Sequence, residues 1–394
     1  MPSKSVSSIG LSPVSWANER APDSPGLRRG AGRGRRSILK LPVSPPIEPM
    51  LAKLTPEIPD GDGWLYEPKW DGFRAIVFRD GDRVHIGSRK ELPLERYFPE
   101  VVEVVKAALP ARAVADGEII LPGEKGLEFE LLQLRLHPAE SRVRKLAAEI
   151  PATFVPFDLL ATDDDLREQP FADRRARLVD VLKPQERCFV TPQTDDAEEA
   201  ERWFERFEGA GLDGVVAKKR DLRYVPGERV MVKVKHERTA DCVVGGYRLA
   251  KNKKGIGSFL LGLYDEGNLN YVGFTSSFRA PEREKLLEMV KPLEGGESFN
   301  TEWGPGGPSR WNQGKDLSWV SLDPVLVCEV AFDHLQGYRF RHGTTFKRWR
   351  PDKDPKDCNY DQFKAPEPFK LADIRALSDR SPVPRSTGRA RAKK

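Results

Sequence analysis

Glu-Pro-Lys-Trp-Asp-Gly-Phe-Arg, residues 67–74, is the stretch around which the rest of the chain can be interpreted. It contains a Lys-x-Asp-Gly tetrapeptide, which makes Lys69 a candidate nucleophile toward the α-phosphorus of a nucleoside triphosphate. A lysine amine reacts only after losing its proton, so we expect burial or nearby cations to lower the pKa of Lys69. The alternative is a surface strand with a turn at Asp71-Gly72, which a tetrapeptide alone does not exclude.

The stretch continues into a predicted β-hairpin. Residues 64–78 are largely apolar, as in a buried strand, and Asp80-Gly81-Asp82 is a typical hairpin turn. Pairing across this turn places Arg74 near Ser88 and Arg89. A second arginine would then lie close to the candidate nucleophile, although an edge-strand charge is an equally good interpretation of Arg89.

Two acidic side chains stand at the start of predicted apolar strands. Glu118 follows the turn residues Asp116-Gly117, and Asp213 precedes Gly214 in a second turn of the same kind. A carboxylate in this position suits a ribose hydroxyl or a divalent metal ion. Either residue can equally be the acid of an ordinary turn.

Two further segments carry groups suited to a nucleotide. Phe157, in a short apolar strand, can stack on a purine ring or pack in the core, as most phenylalanines do. Residues 230–235 alternate, which places Lys233 and Lys235 on one face of a strand and the valines on the other. Two lysines on one face suit a phosphate, and an exposed sheet face is the alternative.

The hydrophobic pattern predicts the remaining elements. It indicates helices at residues 92–110, 126–150, 170–182, 197–209 and 281–290, and a short helical turn at residues 50–53. From about residue 238 the pattern changes to short strands with one helix, which is typical of a Greek-key barrel of the OB type.

A charged segment closes this second half of the chain. Residues 339–353 interleave positive charge with aromatic rings and include Arg350, Asp352 and Lys353. Such a surface suits a nucleic-acid backbone or a polyphosphate. The alternative is a solvated basic face.

Composition restricts the class of protein. The 394 residues contain no apolar run long enough to span a membrane and no secretory signal, and the four cysteines are too widely spaced for a disulfide framework or zinc site. The net charge of +5 is uneven. We expect basic, disordered tails at residues 1–41 and 365–394 around a mildly acidic folded region, so any nucleic-acid surface would be a local patch.

Taken in order, these segments resemble the covalent nucleotidyltransferases, and among them the ATP-dependent DNA ligases of the bacterial stand-alone, two-domain C type. The ligase portion of bacterial end-joining ligases is also similar. The resemblance covers about residues 42–360. It implies an α+β nucleotidyltransferase (adenylation) domain with antiparallel sheets and flanking helices at residues 42–237, followed by an OB-fold β-barrel at residues 238–364.

The resemblance also implies a role for each candidate residue. Lys69 would take AMP as a phosphoramidate. Glu67 would contact adenine and Phe157 would stack on it, while Glu118 would bind the ribose. Arg74 and Arg89 would contact the ribose, the AMP phosphate or the 5′-phosphate of a nick. Lys233 and Lys235 would contact the adenylate phosphate, and the pyrophosphate would be oriented by Arg350, Asp352 and Lys353.

The implied cofactors are ATP, as the AMP donor, and Mg²⁺ or Mn²⁺. Asp213 and Glu118 are the candidate metal ligands. Many family members have Glu-Gly where this chain has Asp213-Gly214, and the shorter aspartate could reach the metal only through water. AMP would pass from Lys69 to the 5′-phosphate of a nick, and the 3′-hydroxyl would then displace it. We expect a hinge between the two domains near residues 235–238.

The implied partner is nicked duplex DNA. We expect the protein to be a monomer that does not associate with a membrane and that is located in the cytoplasm, at the nucleoid. A DNA-repair role and a repair polymerase or primase partner are further expectations. The rivals are an RNA ligase, a GTP-using capping enzyme and a catalytically inactive nucleic-acid-binding protein. NAD is disfavoured as the adenylate donor because NAD-dependent ligases carry a cysteine zinc module that this sequence lacks.

Overall fold

The computed structural model describes residues 39–124, 126–252, 254–299, 304–305, 318–363 and 367–378. The strands of its first half are β1 Leu51–Leu54, β2 Trp64–Pro68, β3 Phe73–Asp80, β4 Arg83–Ser88, β5 Arg112–Ile120, β6 Pro122–Gly123, β7 Gly126–Leu127, β8 Thr153–Ala161, β9 Val215–Lys219 and β10 Arg229–Val234. Those of its second half are β11 Arg238–Leu249, β12 Ile256–Asp265, β13 Asn268–Thr275, β14 Val320–Ser321, β15 Val327–Phe332, β16 Leu335–Gln336, β17 Arg339–Phe340 and β18 Thr345–Trp349. The α-helices are α1 Pro99–Ala108, α2 Phe129–Leu134, α3 Glu140–Glu149, α4 Phe171–Val181, α5 Ala197–Phe207, α6 Ala280–Val290 and α7 Leu371–Ser378.

The amino-terminal domain, comprising β1–β10 and α1–α5, contains a four-stranded sheet in the order β4-β3-β5-β8. The predicted hairpin is confirmed as β3 and β4, with Ala75 opposite Ser88. On its other side Arg74 pairs with Glu118 of β5. Because β8 is buried along its whole length, the sheet forms one wall of the core and fixes these side chains rigidly.

A second four-stranded sheet has the order β1-β10-β9-β2. The helical turn predicted at residues 50–53 is wrong, since this segment is β1 and pairs parallel with β10. Leu51 donates its N–H to the carbonyl of Glu228 at 2.8 Å. A strand-edge partner more than 170 residues away therefore overrides a weak local helical preference.

The helices largely follow the predicted pattern, with two differences. The helix predicted at residues 92–110 begins only at Pro99, as α1. The charged segment 126–150 was expected to be one helix, but it contains β7, α2 and α3. Pro138 disfavours helical geometry at the residue before it, which separates α2 from α3. Arg135 fills the break: it is buried and bonds Glu100 at 2.7 Å. The predicted helices at 170–182, 197–209 and 281–290 are confirmed as α4, α5 and α6.

The carboxy-terminal barrel, comprising β11–β18 and α6, has the strand order β13-β12-β11-β15-β18. Its ends meet where Thr344 donates its N–H to Phe274 at 2.9 Å. The hydroxyl of Thr275 then donates to the carbonyl of Thr344 at 3.0 Å. These bonds join β13 to the residue before β18, so the sheet closes into the OB-type barrel that the short strands predict.

A further helix lies within the segment predicted to be a disordered tail. Residues 367–378 return to the amino-terminal domain, where Ile374 of α7 is fully buried. Ile374 joins an apolar cluster that contains Trp70, and the ring of Phe369 lies 5.2 Å from that of Phe207. The prediction of disorder for this part of the tail is wrong, because the basic composition of the whole segment outweighed the few apolar residues of this short helix. Residues 1–38 and 379–394 of the predicted tails lie outside the described residues.

Candidate active site

A single pocket is lined from both sheets of the amino-terminal domain. Every site residue predicted within that domain lines it, namely Glu67, Lys69, Arg74, Arg89, Glu118, Phe157, Asp213, Lys233 and Lys235. Strands β2, β3, β5, β8 and β10 each supply one of them, and the other four lie within two residues of a strand end. Segments up to 168 residues apart in sequence therefore converge on one cleft.

The Lys69 amine lies at the centre of an ion-pair cluster. Its Nζ is 2.6 Å from Oδ2 of Asp213, and Nζ of Lys235 is 2.7 Å from the same oxygen. Burial acts to lower the pKa of Lys69, but the negative charges of Asp213, Glu118 and Asp71 outweigh it and raise the pKa. The expectation of a lowered pKa is therefore wrong for the nucleotide-free pocket, because the amine pairs directly with Asp213 and is also near the negative charges of Glu118 and Asp71.

Backbone bonds hold Lys69 and Asp213 together. Lys69 donates its N–H to the carbonyl of Gly214 at 2.8 Å, and Asp213 donates its N–H to the carbonyl of Lys69 at 3.0 Å. Gly214 has a φ of +130°, and a Cβ there would lie 2.0 Å from the carbonyl oxygen of Val234. Only glycine allows β10 to approach this closely, which explains the Asp-Gly dipeptide in physical terms.

The pKa values of Asp213 and Glu118 are shifted in opposite directions. Burial would raise the pKa of Asp213, but His334, Lys69 and Lys235 hold it well below its usual range. Burial raises the pKa of Glu118 to about 7, although Arg74 and Lys69 oppose the shift. Asp213 is thus permanently ionised, whereas Glu118 changes charge near neutral pH.

Phe157 and the buried ion pair between Lys218 and Glu67 form another part of the pocket lining. The guanidinium carbon of Arg74 and Nζ of Lys218 each lie 4.5 Å from the centre of the Phe157 ring. Lys218 also pairs with Glu67 at 2.6 Å, and Gln193 donates to Glu67 at 2.9 Å. Neither Lys218 nor Gln193 was predicted from the sequence. Lys218 could have been, because it lies in the apolar strand that follows Asp213.

The barrel also reaches this cleft. Arg341 donates from Nη1 to Oδ2 of Asp71 at 2.8 Å, and His334 Nε2 lies 3.5 Å from Oδ1 of Asp213. Asp333 lies 3.7 Å from Nζ of Lys235. None of these three barrel residues was singled out from the sequence, although Arg341 belongs to the charged closing segment.

The structure does not bring Arg350, Asp352 and Lys353 to the pocket. Arg350 instead bonds Asp241 of β11 at 2.8 Å and Asp352 at 2.8 Å. The barrel presents a different face to the cleft in this arrangement. A role for Arg350 at the pocket therefore requires the barrel to rotate.

A metal ion fits the pocket only together with phosphate. In the part of the chain that the structure describes, no group of three or more His, Cys, Asp or Glu side chains is placed to hold one. The pocket does offer the carboxylates of Glu118 and Asp213. Mg²⁺ is commonly held by one or two carboxylates plus substrate phosphates, so this donor set suits an ion that arrives with a nucleotide.

Comparison with known proteins identifies the family. A family model described as the ATP dependent DNA ligase domain matches residues 49–235, and one described as the ATP dependent DNA ligase C terminal region matches residues 252–353. DNA ligase C of Mycobacterium tuberculosis is 52% identical over 357 residues, covering 85% of this chain and 99% of that protein.

Two other similarities are more distant. The multifunctional non-homologous end joining DNA repair protein LigD of Mycobacterium tuberculosis is 29% identical over 302 residues, covering 75% of this chain and 37% of its own length. A solved structure of a Lig E DNA ligase covers 77% of this chain and 99% of its own, with a TM-score of 0.50 and 18% identity. The latter supports the fold alone.

The fold is that of a covalent nucleotidyltransferase that carries an OB barrel. The chain belongs to the ATP-dependent DNA ligases, and within them to the stand-alone C type. It is an enzyme that uses ATP to join DNA strands.

Proposed function

We propose that Lys69 attacks the α-phosphorus of ATP and carries AMP as a phosphoramidate. The new bond joins Nζ to phosphorus, the bond to the pyrophosphate oxygen breaks, and the amine gives up a proton. The observation that carries this proposal is the location of the Lys69 amine in the pocket with Arg89, Lys233 and Lys235. Burial and the charges of Lys235 and Lys69 lower the pKa of Lys233, as expected where several cations are held close together to bind phosphate.

Deprotonation of Lys69 requires that its bond to Asp213 be broken. In the nucleotide-free pocket Asp213 stabilises the protonated amine. Mg²⁺ or Mn²⁺ held by Asp213 and Glu118 would neutralise phosphate charge and compete with the lysine for Asp213. Burial and the neighbouring lysines then act to lower the pKa of Lys69.

We assign the remaining roles by position in the pocket. Phe157 and Glu67 are assigned to adenine, and Glu118 and Arg74, which pair across β3 and β5, to the ribose and phosphate. The adenylate then passes to the 5′-phosphate of a nick, and the 3′-hydroxyl displaces AMP to seal the strand.

Arg350, Asp352 and Lys353 would orient the pyrophosphate when the barrel has turned about residues 235–238. The proposed domain limits, 42–237 and 238–364, contain the two family matches. A variant with this hinge rigidified should lose the first step, and unchanged kinetics in every step would count against the rotation.

The pKa of Glu118 predicts a pH dependence. This carboxyl is largely neutral below pH 7 and ionised above it, so kcat/KM for ATP in lysyl-AMP formation is expected to rise through about pH 7. The raised pKa of Lys69 adds a separate rise at higher pH. Glu118→Gln should remove the inflection near 7 and keep the later rise. An unchanged inflection in that variant would assign it to another group.

A nick-sealing assay tests the overall function. The enzyme is incubated with ATP, GTP or NAD and with nicked duplexes of DNA or RNA. We expect ATP to support sealing of the DNA nick and to leave an acid-labile AMP adduct on the protein. Sealing confined to RNA strands would favour an RNA ligase, and binding without an adduct would favour an inactive nucleic-acid-binding protein.

We further propose that the enzyme acts in DNA repair, as a cytoplasmic monomer at the nucleoid. Its similarity to a protein named for end joining and DNA repair supports the repair role. Among the described residues, no helix is long and apolar enough to cross a membrane. A repair polymerase or primase is the proposed partner, and co-purification from cells with damaged DNA is the direct test.

A further inference from the structure

Arg74 is held by a buried carboxylate that does not line the pocket. Its Nε and Nη2 donate to the two oxygens of Asp116 at 2.5 and 2.6 Å. Asp116 is fully buried, one residue before Gly117 in the middle of β5. This planar two-point pairing fixes the plane of the guanidinium, which lies 4.5 Å from the centre of the Phe157 ring.

A tyrosine from a distant segment completes the network. The hydroxyl of Tyr224 donates to Oδ2 of Asp116 at 2.7 Å and accepts the N–H of Met50 at 3.3 Å. The carbonyl of Met50 in turn accepts from Nη2 of Arg74 at 3.4 Å. Tyr224 is 3% exposed and Met50 1%, so these bonds form in an environment where water cannot replace a lost partner.

The network leaves Arg74 with a restricted role. Two of its three nitrogens are committed to Asp116 and Met50, although Arg74 also lines the pocket. Arg74 therefore acts as a fixed support beside the Phe157 ring and does not move freely to follow the phosphates. The position of that support depends on Asp116, and the orientation of Asp116 depends on Tyr224.

We propose that Tyr224 is a positioning residue for nucleotide binding, acting through Asp116 to hold Arg74 against the Phe157 ring. Tyr224 touches neither the pocket nor the reacting atoms, since it is absent from the pocket lining. The inference rests on the proposed function of this pocket as the site of lysyl-AMP formation. It predicts a defect in binding ATP and little change in the chemical step once ATP is bound.

The test is Tyr224→Phe, which deletes one hydroxyl and keeps the buried ring. Loss of a charge-assisted hydrogen bond in this setting should raise KM for ATP in lysyl-AMP formation by roughly tenfold, with kcat within about twofold. The matched control is Tyr247→Phe. Tyr247 is a similarly buried barrel tyrosine whose hydroxyl donates to Glu294, also at 2.7 Å. The KM of the Tyr247→Phe enzyme for ATP should stay at the wild-type value.

A double-mutant cycle separates positioning from general destabilisation. Arg74→Lys keeps a charge beside Asp116 but removes the planar two-point pairing. If Tyr224 acts through Arg74, Tyr224→Phe should raise KM far less in the Arg74→Lys background than in the wild type. Equal effects in both backgrounds would overturn the proposal, as would an unchanged KM in the single variant. Absence of any AMP adduct on the wild-type enzyme would instead refute the proposed function.

Discussion

Replacement of Lys69 with alanine is expected to eliminate the AMP adduct and to reduce nick sealing by at least about 10⁴-fold, because it removes the proposed nucleophile. Incubation with labelled ATP followed by denaturing electrophoresis measures the adduct directly. Lys69→Arg should fail equally, although it keeps a cation beside Asp213. An arginine guanidinium stays protonated at any accessible pH and cannot act as the nucleophile.

The matched control for this prediction is Lys219→Ala. Lys219 ends β9 and lies with its amine 3.9 Å from the centre of the Trp64 ring, outside the pocket lining. Its loss should leave the adduct near the wild-type level. An adduct of normal yield on the Lys69→Ala enzyme would place the nucleophile elsewhere and would contradict the central proposal.

Asp213→Asn is expected to lower the rate of lysyl-AMP formation by about 10²- to 10³-fold at every pH, because it removes the proposed metal ligand. It should also change the pH profile. Asp213 raises the pKa of Lys69, so its neutralisation moves the rise in rate that follows deprotonation of Lys69 toward lower pH. The two effects are separable by comparing the plateau and the midpoint of the profile.

Asp213→Glu provides the counterpart to this variant. Glutamate keeps the carboxylate that a metal ion would need, so the longer side chain should retain most activity if Asp213 binds the metal. If Asp213→Glu proves as inactive as Asp213→Asn, the short ion pairs at 2.6 and 2.7 Å are what matter, and a metal-binding role is not supported.

The parts of the fold that were predictable from sequence are those set by local patterns. The turn at Asp80-Gly81 defined the hairpin and its register to within one residue, because side-chain alternation and turn geometry are local properties. The Asp-Gly dipeptide at 213–214 likewise marked the loop before β9 that brings Asp213 to the pocket. The turn expected at Asp116-Gly117 is wrong, because both residues lie inside β5, which is continuous from Arg112 to Ile120 and pairs with β3 along its length.

The parts that escaped depend on contacts between distant segments. Lys218 became a candidate only once the structure placed it against Glu67, about 150 residues earlier. Arg341 and His334 reach the cleft because of how the barrel is oriented, and no local pattern encodes that orientation. The same reason explains why Arg350 lies outside the pocket here. Its role remains a prediction.

The docked position of α7 has a consequence for how the enzyme can open. Phe363 packs in the core of the barrel, whereas Glu367 contacts Gly209 of the other domain closely enough to exclude a Cβ. Four peptide units span at most roughly 14 Å. As long as α7 stays docked, the barrel is tethered at both of its ends, which limits how far the part next to the tether can move. Spin-label distances should therefore stay narrow near Phe363 and broaden on the far side of the barrel.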